Sequence, residues 1–410
     1  MDSMETMRTI LSDISCFLIK IKKNEYTNLA FRFCPYRNGG LQPSASSPDT
    51  EGEIITVADS RIREKVDLHE LVDSVSYVPL ETSDRILLGD VLCAKRAGDY
   101  YFVQDTKGLF AFDAHGRFVS EIGHRGQGPG EYYNLDCFYL DSGRWLACIV
   151  SNVQKKIFRY TFDGKFHSTL SLEDDDANIV FVMTYDEGEH LLAHYPLPND
   201  AKATDREYAM LSCQGDELTA AKLLDAPKVH SSVAIHPLLY EPMASFRNRP
   251  LFISAFSNRV YTLKEGRAAV EYVIDLPGIV ADDDFWEKHA NMELFQLREA
   301  MQQHVGMGIT AIEATDDYLF LVINYGKTLV WDGTTGWLIN SVYDSNSGLL
   351  SILFDGVSDS HLGVLSAEFL YQNKERIKAG NHPQLASVAE RIGEEDNPVL
   401  YRYHFKKSLE

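Results

Sequence analysis

The sequence predicts an all-β chain of repeated antiparallel sheets, and three observations carry that prediction. One hairpin pattern recurs five times: "LFAFDAHGRFVSEI", "IFRYTFDGKFHSTL", "YAMLSCQGDELTAA", "VYTLKEGRAAVEYV" and "LVWDGTTGWLINSV". Its turn glycines are Gly116, Gly164, Gly215, Gly266 and Gly333, spaced by 48, 51, 51 and 67 residues. The runs between turns are short, alternating and rich in aromatic residues, as half-buried strands are. Finally, residues 51–410 hold about seven such units, or six with insertions. Four strands in ~45 residues make the blade of a propeller. The expected fold is a six-bladed β-propeller of four-stranded antiparallel blades. Its ring is closed by N- and C-terminal strands, and it carries short helical insertions.

Taken in order, residues 1–50 form an N-terminal tail and linker, expected to be poorly ordered. The stretch Gly39–Gly52 ("GGLQPSASSPDTEG") is turn-rich. Residues 51–410 form the propeller. His69–Asp73 ("HELVD") fits a short amphipathic helix. One blade can be written out as strands Asn134–Asp141, Arg144–Asn152, Lys155–Phe162 and Lys165–Leu172. Asp163–Gly164 suits a two-residue type I′ turn, in which both residues need positive φ. Asp282–His304 lacks Gly and Pro, opens on acidic residues and predicts a helix, which accounts for the longest spacing. A second short helix is expected near Pro383–Ile392. The final strand, Pro398–Phe405, has no successor in its own repeat. Either "EIITVAD" or "SVSYVPLE" from the N-terminal side is expected to pair with it and hide the sheet edge.

Charge and composition exclude several classes. The 410 residues carry 39 basic and 60 acidic side chains, a net charge of −21. Such a surface repels nucleic acid, which needs basic patches to displace its counterions. No apolar run reaches the ~18 residues of a transmembrane helix. The early stretch "ILSDISCFLIKIKK" places Asp13 inside its apolar part and its lysines behind, so it is a poor signal peptide. The residues before Cys16 and Cys34 do not resemble a lipoprotein cleavage site. Six cysteines without a C-x-x-C pair imply neither a disulfide scaffold nor a zinc ribbon. A turn at Ser142–Gly143 would set Cys137 opposite Cys148 in a hydrogen-bonded pair, where a bridge is strained. Two buried thiols are expected.

The stretch "IGHRGQGPGEY", Ile122–Tyr132, decides how the function is read. It is not a dinucleotide fingerprint, because Glu131 stands where the third glycine belongs, and no P-loop lysine follows its glycines. The alternating "YYNLDCFYL" after it is a strand, so no helix N-terminus faces an anion. Structurally, Gly126, Gly128, Pro129 and Gly130 suit a stiff, irregular strap crossing from one blade to the next. Functionally, Arg125, Gln127, Glu131 and Tyr132 are the candidate ligand or partner contacts, projecting near the mouth of the channel. Arg125 and Glu131 either pair with each other or offer a donor fork and an acceptor to a polar ligand.

Other chemistry is thin. "HELVD" lacks the second histidine of a zinc protease, and no G-x-S-x-G occurs; "GVSDS" at Gly356–Ser360 ends wrongly. The acidic clusters Glu173–Asn178 and Ala281–Phe285 lack the spacing of a calcium loop. His230 and His236 are too far apart for one helix face. No catalytic residue, metal site or cofactor is assigned.

Three segments carry a family likeness: "YVPLETSDRILLGDV" (Tyr77–Val91), "FDAHGRFVSEIGHRGQGPGEY" (Phe112–Tyr132) and "EEDNPVLYRYHFKK" (Glu394–Lys407). The chain resembles the six-bladed β-propeller proteins common in Bacteroidetes, relatives of the NHL-type propellers. That resemblance implies a periplasmic or cell-envelope protein, usually exported and often lipid-anchored, and no established activity. The missing lipoprotein signal departs from the pattern. The leading expectation is a non-catalytic binding or interaction propeller of the bacterial cell envelope, with a protein, peptide or carbohydrate as ligand. The rival is a metal-dependent lactonase or hydrolase propeller with its site in the central channel. A purely structural subunit of an envelope assembly is a third reading.

Overall fold

Alternating apolar residues become strands wherever the recurring hairpins were expected. The computed structural model describes residues 52–58, 61–172, 178–195, 206–226, 241–280, 306, 308–323, 326–343, 350–351, 362–380 and 382–407. All belong to one unit, Asp49–Glu410. The expected tail at 1–50, the helix at 282–304, the "GVSDS" stretch and His230 and His236 lie outside the described residues. So do the two acidic clusters, apart from Asn178.

Four N-terminal strands come first: β1 (Glu53–Thr56), β2 (Ile62–Arg63), β3 (Val66–Asp67) and β4 (Val72–Pro79). Five up-and-down meanders follow. They comprise β5 (Val91–Ala97), β6 (Tyr100–Asp105), β7 (Leu109–Asp113) and β8 (Phe118–Glu121), then β9 (Cys137–Asp141), β10 (Leu146–Ser151), β11 (Lys156–Thr161) and β12 (Phe166–Leu172). The third holds β13 (Phe181–Tyr185), β14 (His190–His194), β15 (Arg206–Gln214) and β16 (Glu217–Asp225). The fourth holds β17 (Met243–Phe246), β18 (Arg249–Ile253), β19 (Arg259–Lys264) and β20 (Arg267–Asp275). The fifth holds β21 (Ile309–Ala314), β22 (Leu319–Ile323), β23 (Lys327–Trp331) and β24 (Gly336–Ile339). The chain ends with β25 (Val342–Tyr343), β26 (Leu350–Ser351), β27 (Leu362–Leu365) and β28 (Val399–Phe405).

Among the described residues, hydrogen bonding does not separate six four-stranded sheets. It gives sheets of four, eight, five and five strands, so four large ones, and two of three strands. The eight-stranded sheet arises because β12 and β16 share a short parallel bridge, which fuses the second and third meanders. The closing sheet, β27-β28-β4, holds three strands. Its outer strand is "SVSYVPLE": Val78 pairs with Leu400 and Tyr77 with Tyr401, antiparallel. The "EIITVAD" strand instead pairs parallel with β20, Ile55 opposite Ile274. β2 and β3 do the same on β24 and β25.

Apolar cores lie between consecutive sheets. Phe102 and Tyr132 sit in the one between the first and second meanders, and Val150 and Leu191 in the next. Tyr208 and Phe252 join the third to the fourth, and Phe246 and Leu321 the fourth to the fifth. Phe320 and Tyr403 link the fifth to the closing sheet. Leu400 and Phe112 then link the closing sheet back to the first meander. The arrangement is propeller-like: each meander, and the closing sheet, packs against the one before and the one after through these cores.

Local chemistry explains the turns. Thr161 N–H donates to Lys165 O and Gly164 N–H to Thr161 O, with Gly164 at φ 83°. This is a three-residue loop of type I with a glycine bulge, so only one residue takes positive φ, where type I′ would need two. The turn after β9 has four residues, Ser142–Trp145, with Trp145 at φ 57°. That moves the register by two from the expected one. Cys137 faces Val150 and Cys148 faces Tyr139. Both thiols are free, and burial pushes each up to about 12.

The expected "HELVD" helix is one turn, α1 (Leu68–Leu71), started by a capping box between Asp67 and Glu70. Between β27 and β28 run α2 (Ala367–Gln372), α3 (Lys374–Ala379) and α4 (Pro383–Arg391). Helix α4 is the expected one. Pro383 lies in its first turn, and Leu385, Val388 and Ala389 are buried. Among the described residues no helix is long and apolar enough to cross a membrane.

Candidate functional site

The glycine-rich strap leaves β8 and enters β9. Gly128–Glu131 is a β-turn: Glu131 N–H donates to Gly128 O at 3.0 Å, with Pro129 second and Gly130, at φ 75°, third. That order is the type II signature. The Glu131 carboxylate then folds back and accepts from Gly128 N–H at 2.8 Å. Further along, Gly126 N–H donates to Tyr132 O and Tyr132 N–H to His124 O, closing the neck of a small loop.

The glycines serve different ends. Gly130 and Gly123 (φ 65°) need backbone angles that side chains resist. Gly126 and Gly128 do not. A side chain there would meet the end of Glu131: a Cβ on Gly128 would stand 3.0 Å from its Oε2, and one on Gly126 would overlap it, so the carboxylate would have to swing away from Gly128 N–H.

Ile122, Tyr132 and Leu135 of the strap belong to the core between the first and second meanders. Tyr132 is fully buried, and its hydroxyl meets no hydrogen-bond partner. A Cβ on Gly108 would lie 3.2 Å from that hydroxyl. Burial, then the nearby Glu121 charge, raises the phenol to about 12, while the Arg125 guanidinium works the other way. Tyr160 Oη donates to Gly130 O at 2.8 Å, which ties the turn to β11. Burying a side chain of this size contributes about 1.5–3 kcal/mol.

The structure therefore divides the expected contact residues. Arg125 and Gln127 are exposed, as is Pro129. Glu131 is half-buried and committed to Gly128, so it does not pair with Arg125. Tyr132 points into the core; the exposed tyrosine is its neighbour Tyr133, at 56%. Sequence reasoning missed Tyr133 and Val153, which is 69% exposed. Tyr133 N–H donates to Gln154 Oε1 at 2.6 Å, which brings its backbone to the loop that carries Val153. A polar lattice stiffens that corner. Ser151 Oγ donates to Asn134 Oδ1 at 2.6 Å, and Asn152 N–H donates to Asp136 Oδ2 at 2.7 Å.

A second polar cluster lies between the third and fourth meanders. Glu207 is fully buried and accepts from Ala255 N–H at 2.9 Å and from Ser254 Oγ. Burial raises its carboxyl to about 7. His194 Nε2 lies 4.0 Å from Glu207 Oε1, and neither ring nitrogen has a hydrogen-bond partner. Burial lowers that imidazole to about 3. No sequence motif announced this pair. Among the described residues no group of three or more His, Cys, Asp or Glu is placed to share a metal ion.

The three segments of family likeness meet in space. Asn397 Nδ2 donates to Glu81 O at 2.6 Å, and Leu88 N–H donates to Asn397 Oδ1 at 2.8 Å. Glu81 accepts from Phe118 N–H at 3.0 Å, and Glu81 N–H donates to Gly116 O at 2.8 Å. They fasten the closing sheet to the first meander.

This seam and the strap fall within residues 52–404, which match the family described as "Domain of unknown function (DUF4934)". The chain belongs to that family. No curated protein sequence matches it. It is similar in structure to a protein of Bacteroides fragilis named as a candidate exported protein. The TM-score is 0.67 at 18% identity, covering 86% of this chain and 100% of the other. A member of the DUF4221 family from Bacteroides vulgatus aligns with TM-score 0.47 and 7% identity, covering 82% of this chain and 98% of the other. At such identities the first likeness speaks for the fold alone.

Proposed function

We propose that the chain is a non-catalytic binding module of the bacterial cell envelope, built as six blades around one axis. Five meanders and the closing sheet, each joined to the next by its own apolar core, support that count. The β12–β16 bridge is then a local contact between two blades. The likeness to a candidate exported protein supports the envelope location.

One observation carries the binding role. Arg125 and Gln127 are exposed on a loop whose backbone is fastened by Glu131, Tyr160 and Gln154. Exposed Tyr133 and Val153 extend the same surface. A rigid loop that presents a cation, an amide and an aromatic ring loses little entropy when a ligand arrives.

The test is a binding screen of envelope polysaccharides and peptides against the wild type and an Arg125→Ala/Gln127→Ala/Tyr133→Ala variant. A ligand held by the wild type and lost by a folded variant is the expected result. Metal-dependent turnover of lactones or esters would overturn the non-catalytic reading. Equal binding by both proteins would move the contact surface elsewhere. Cell fractionation of the host checks the location.

A further inference from the structure

At the end of the first meander opposite the strap, the core between closing sheet and first meander stops being apolar. On β28, Leu400 is in that core, and Arg402 and His404 continue the same side of the strand. On β5, Ala94 is in the core and Arg96 continues its side. Arg402 lies opposite Ser76 on β4, and Arg96 opposite Tyr101 on β6. Ser76 Oγ is 3.0 Å from His404 Nε2. Two arginines and a histidine thus converge where the ring closes.

Among the described residues no carboxylate pairs with them. The Nε–H of Arg402 is buried without an acceptor. Neither arginine forms an ion pair or a side-chain hydrogen bond among the described residues. Arg402 feels the charge of Arg96 and, in the opposite direction, the Tyr101 phenol, and the charges felt by His404 are those of both arginines; no carboxylate contributes to either. In a chain with 60 acidic residues and net charge −21, a cationic cluster without a counter-charge is anomalous. Buried donors are ordinarily satisfied, and clustered guanidinium groups ordinarily face an anion.

We infer that Arg96 and Arg402, with His404 and Ser76, form a binding site for a tetrahedral oxyanion, a phosphate or sulfate group. The donors come from three strands, β5, β28 and β4, and so approach from several directions. A carboxylate offers acceptors in one plane, whereas a tetrahedral oxyanion offers them all round. The bound anion supplies the missing acceptor for Arg402 Nε–H and relieves the repulsion between the arginines. The site is independent of the strap and of any ligand held there.

Thermal unfolding and NMR of the His404 ring test this, with inorganic phosphate and sodium sulfate compared in separate arms against sodium chloride of equal ionic strength. Phosphate, sulfate or both should raise Tm above the chloride value and raise the pKa of His404, because the anion offsets the two arginine charges. The stronger arm names the group. Arg402→Met should weaken the response by at least about tenfold in apparent affinity. It should also raise Tm in anion-free buffer, since it removes an unpaired buried donor. If that variant does not fold, Arg96→Met decides, with a matching loss of affinity expected. Arg267→Ala, an exposed arginine at the start of β20 outside both sites, should respond like the wild type. Equal Tm and equal His404 pKa in all three salts would overturn the proposal, as would an undiminished response in Arg402→Met or Arg96→Met.

Discussion

Two inter-sheet junctions use a glutamate as a fastener in opposite ways. Between the first and second meanders, Glu131 is half-buried and binds the backbone of its own loop at Gly128. Between the third and fourth, Glu207 is fully buried and reaches across to Ser254 and Ala255, with His194 alongside. Water still reaches Glu131. Glu207 has two donors where its full hydration shell would be, and burial dominates its titration. The first junction is held by shape and glycine geometry. The second is held by a polar pair whose contribution depends on protons.

The largest effect should come from attacking that shape. Gly123→Ala adds a Cβ at positive φ directly against the Tyr160 ring. It should cost about 2–5 kcal/mol, the sum of overpacking and left-handed strain, measured by chemical denaturation. A cost below about 1 kcal/mol would show that the strap yields and is not a rigid element.

The second junction should show itself in pH dependence. Glu207 has a folded pKa of about 7 against an ordinary 4.5, so its contribution is complete below 4.5 and is lost as pH rises through about 7. His194 is displaced the other way, to about 3 from 6.5, so its contribution is complete above 6.5 and is lost as pH falls toward about 3. Between about 4.5 and 6.5 the folded protein holds one proton on Glu207 that the unfolded chain lacks, and lacks one on His194 that the unfolded chain holds. The two slopes cancel, and these groups leave stability flat in that window. Glu207→Gln leaves only the histidine, so stability should rise by about 1.4 kcal/mol per pH unit there. His194→Phe leaves only the glutamate, so stability should fall by about the same amount per pH unit. Denaturation at three pH values across the window checks both; parallel curves for all three proteins would remove the proton-dependent half of the contrast.

Glu131→Ala should cost about 1 kcal/mol, one charge-assisted hydrogen bond to an accessible backbone. Arg125→Ala and Gln127→Ala should each change stability by less than about 0.5 kcal/mol, because both side chains are exposed. A larger loss at either position would make it part of the scaffold and weaken its assignment to ligand contact.

Much of the architecture was legible because hairpin glycines do two jobs. Gly116 and Gly164 set the turn by positive φ, and their bare Cα atoms also admit the end of the preceding outer strand, at Pro79 O and Glu121 O. Both demands fall on one residue type, so the pattern recurs visibly. The N-terminal strands β2 and β3 are two residues long and carry no alternation to detect. Register failed for a similar reason. A left-handed Trp145 lengthened one turn, and nothing in "SGRW" announces a tryptophan with positive φ. In the candidate site, Arg125 and Gln127 were legible as loop side chains. The choice between Tyr132 and Tyr133 was not, since a shift of one residue exchanges the two faces. The junction at Glu207 and the arginines at the closing seam are assembled from sequence-distant strands, and no local pattern encodes them.

The N-terminal ribbon has a consequence for biogenesis. Ile55 must wait for Ile274, Ile62 for Leu338, Val66 for Val342 and Pro79 for Val399. The first strands made find their partners late, and in the order in which they left the ribosome. Newly made chains therefore carry four unpaired strand edges until Asp275 is available, and the edge of β4 stays open until Val399. That predicts slow maturation and a long interval in which a chaperone or a translocation machine can hold the chain open.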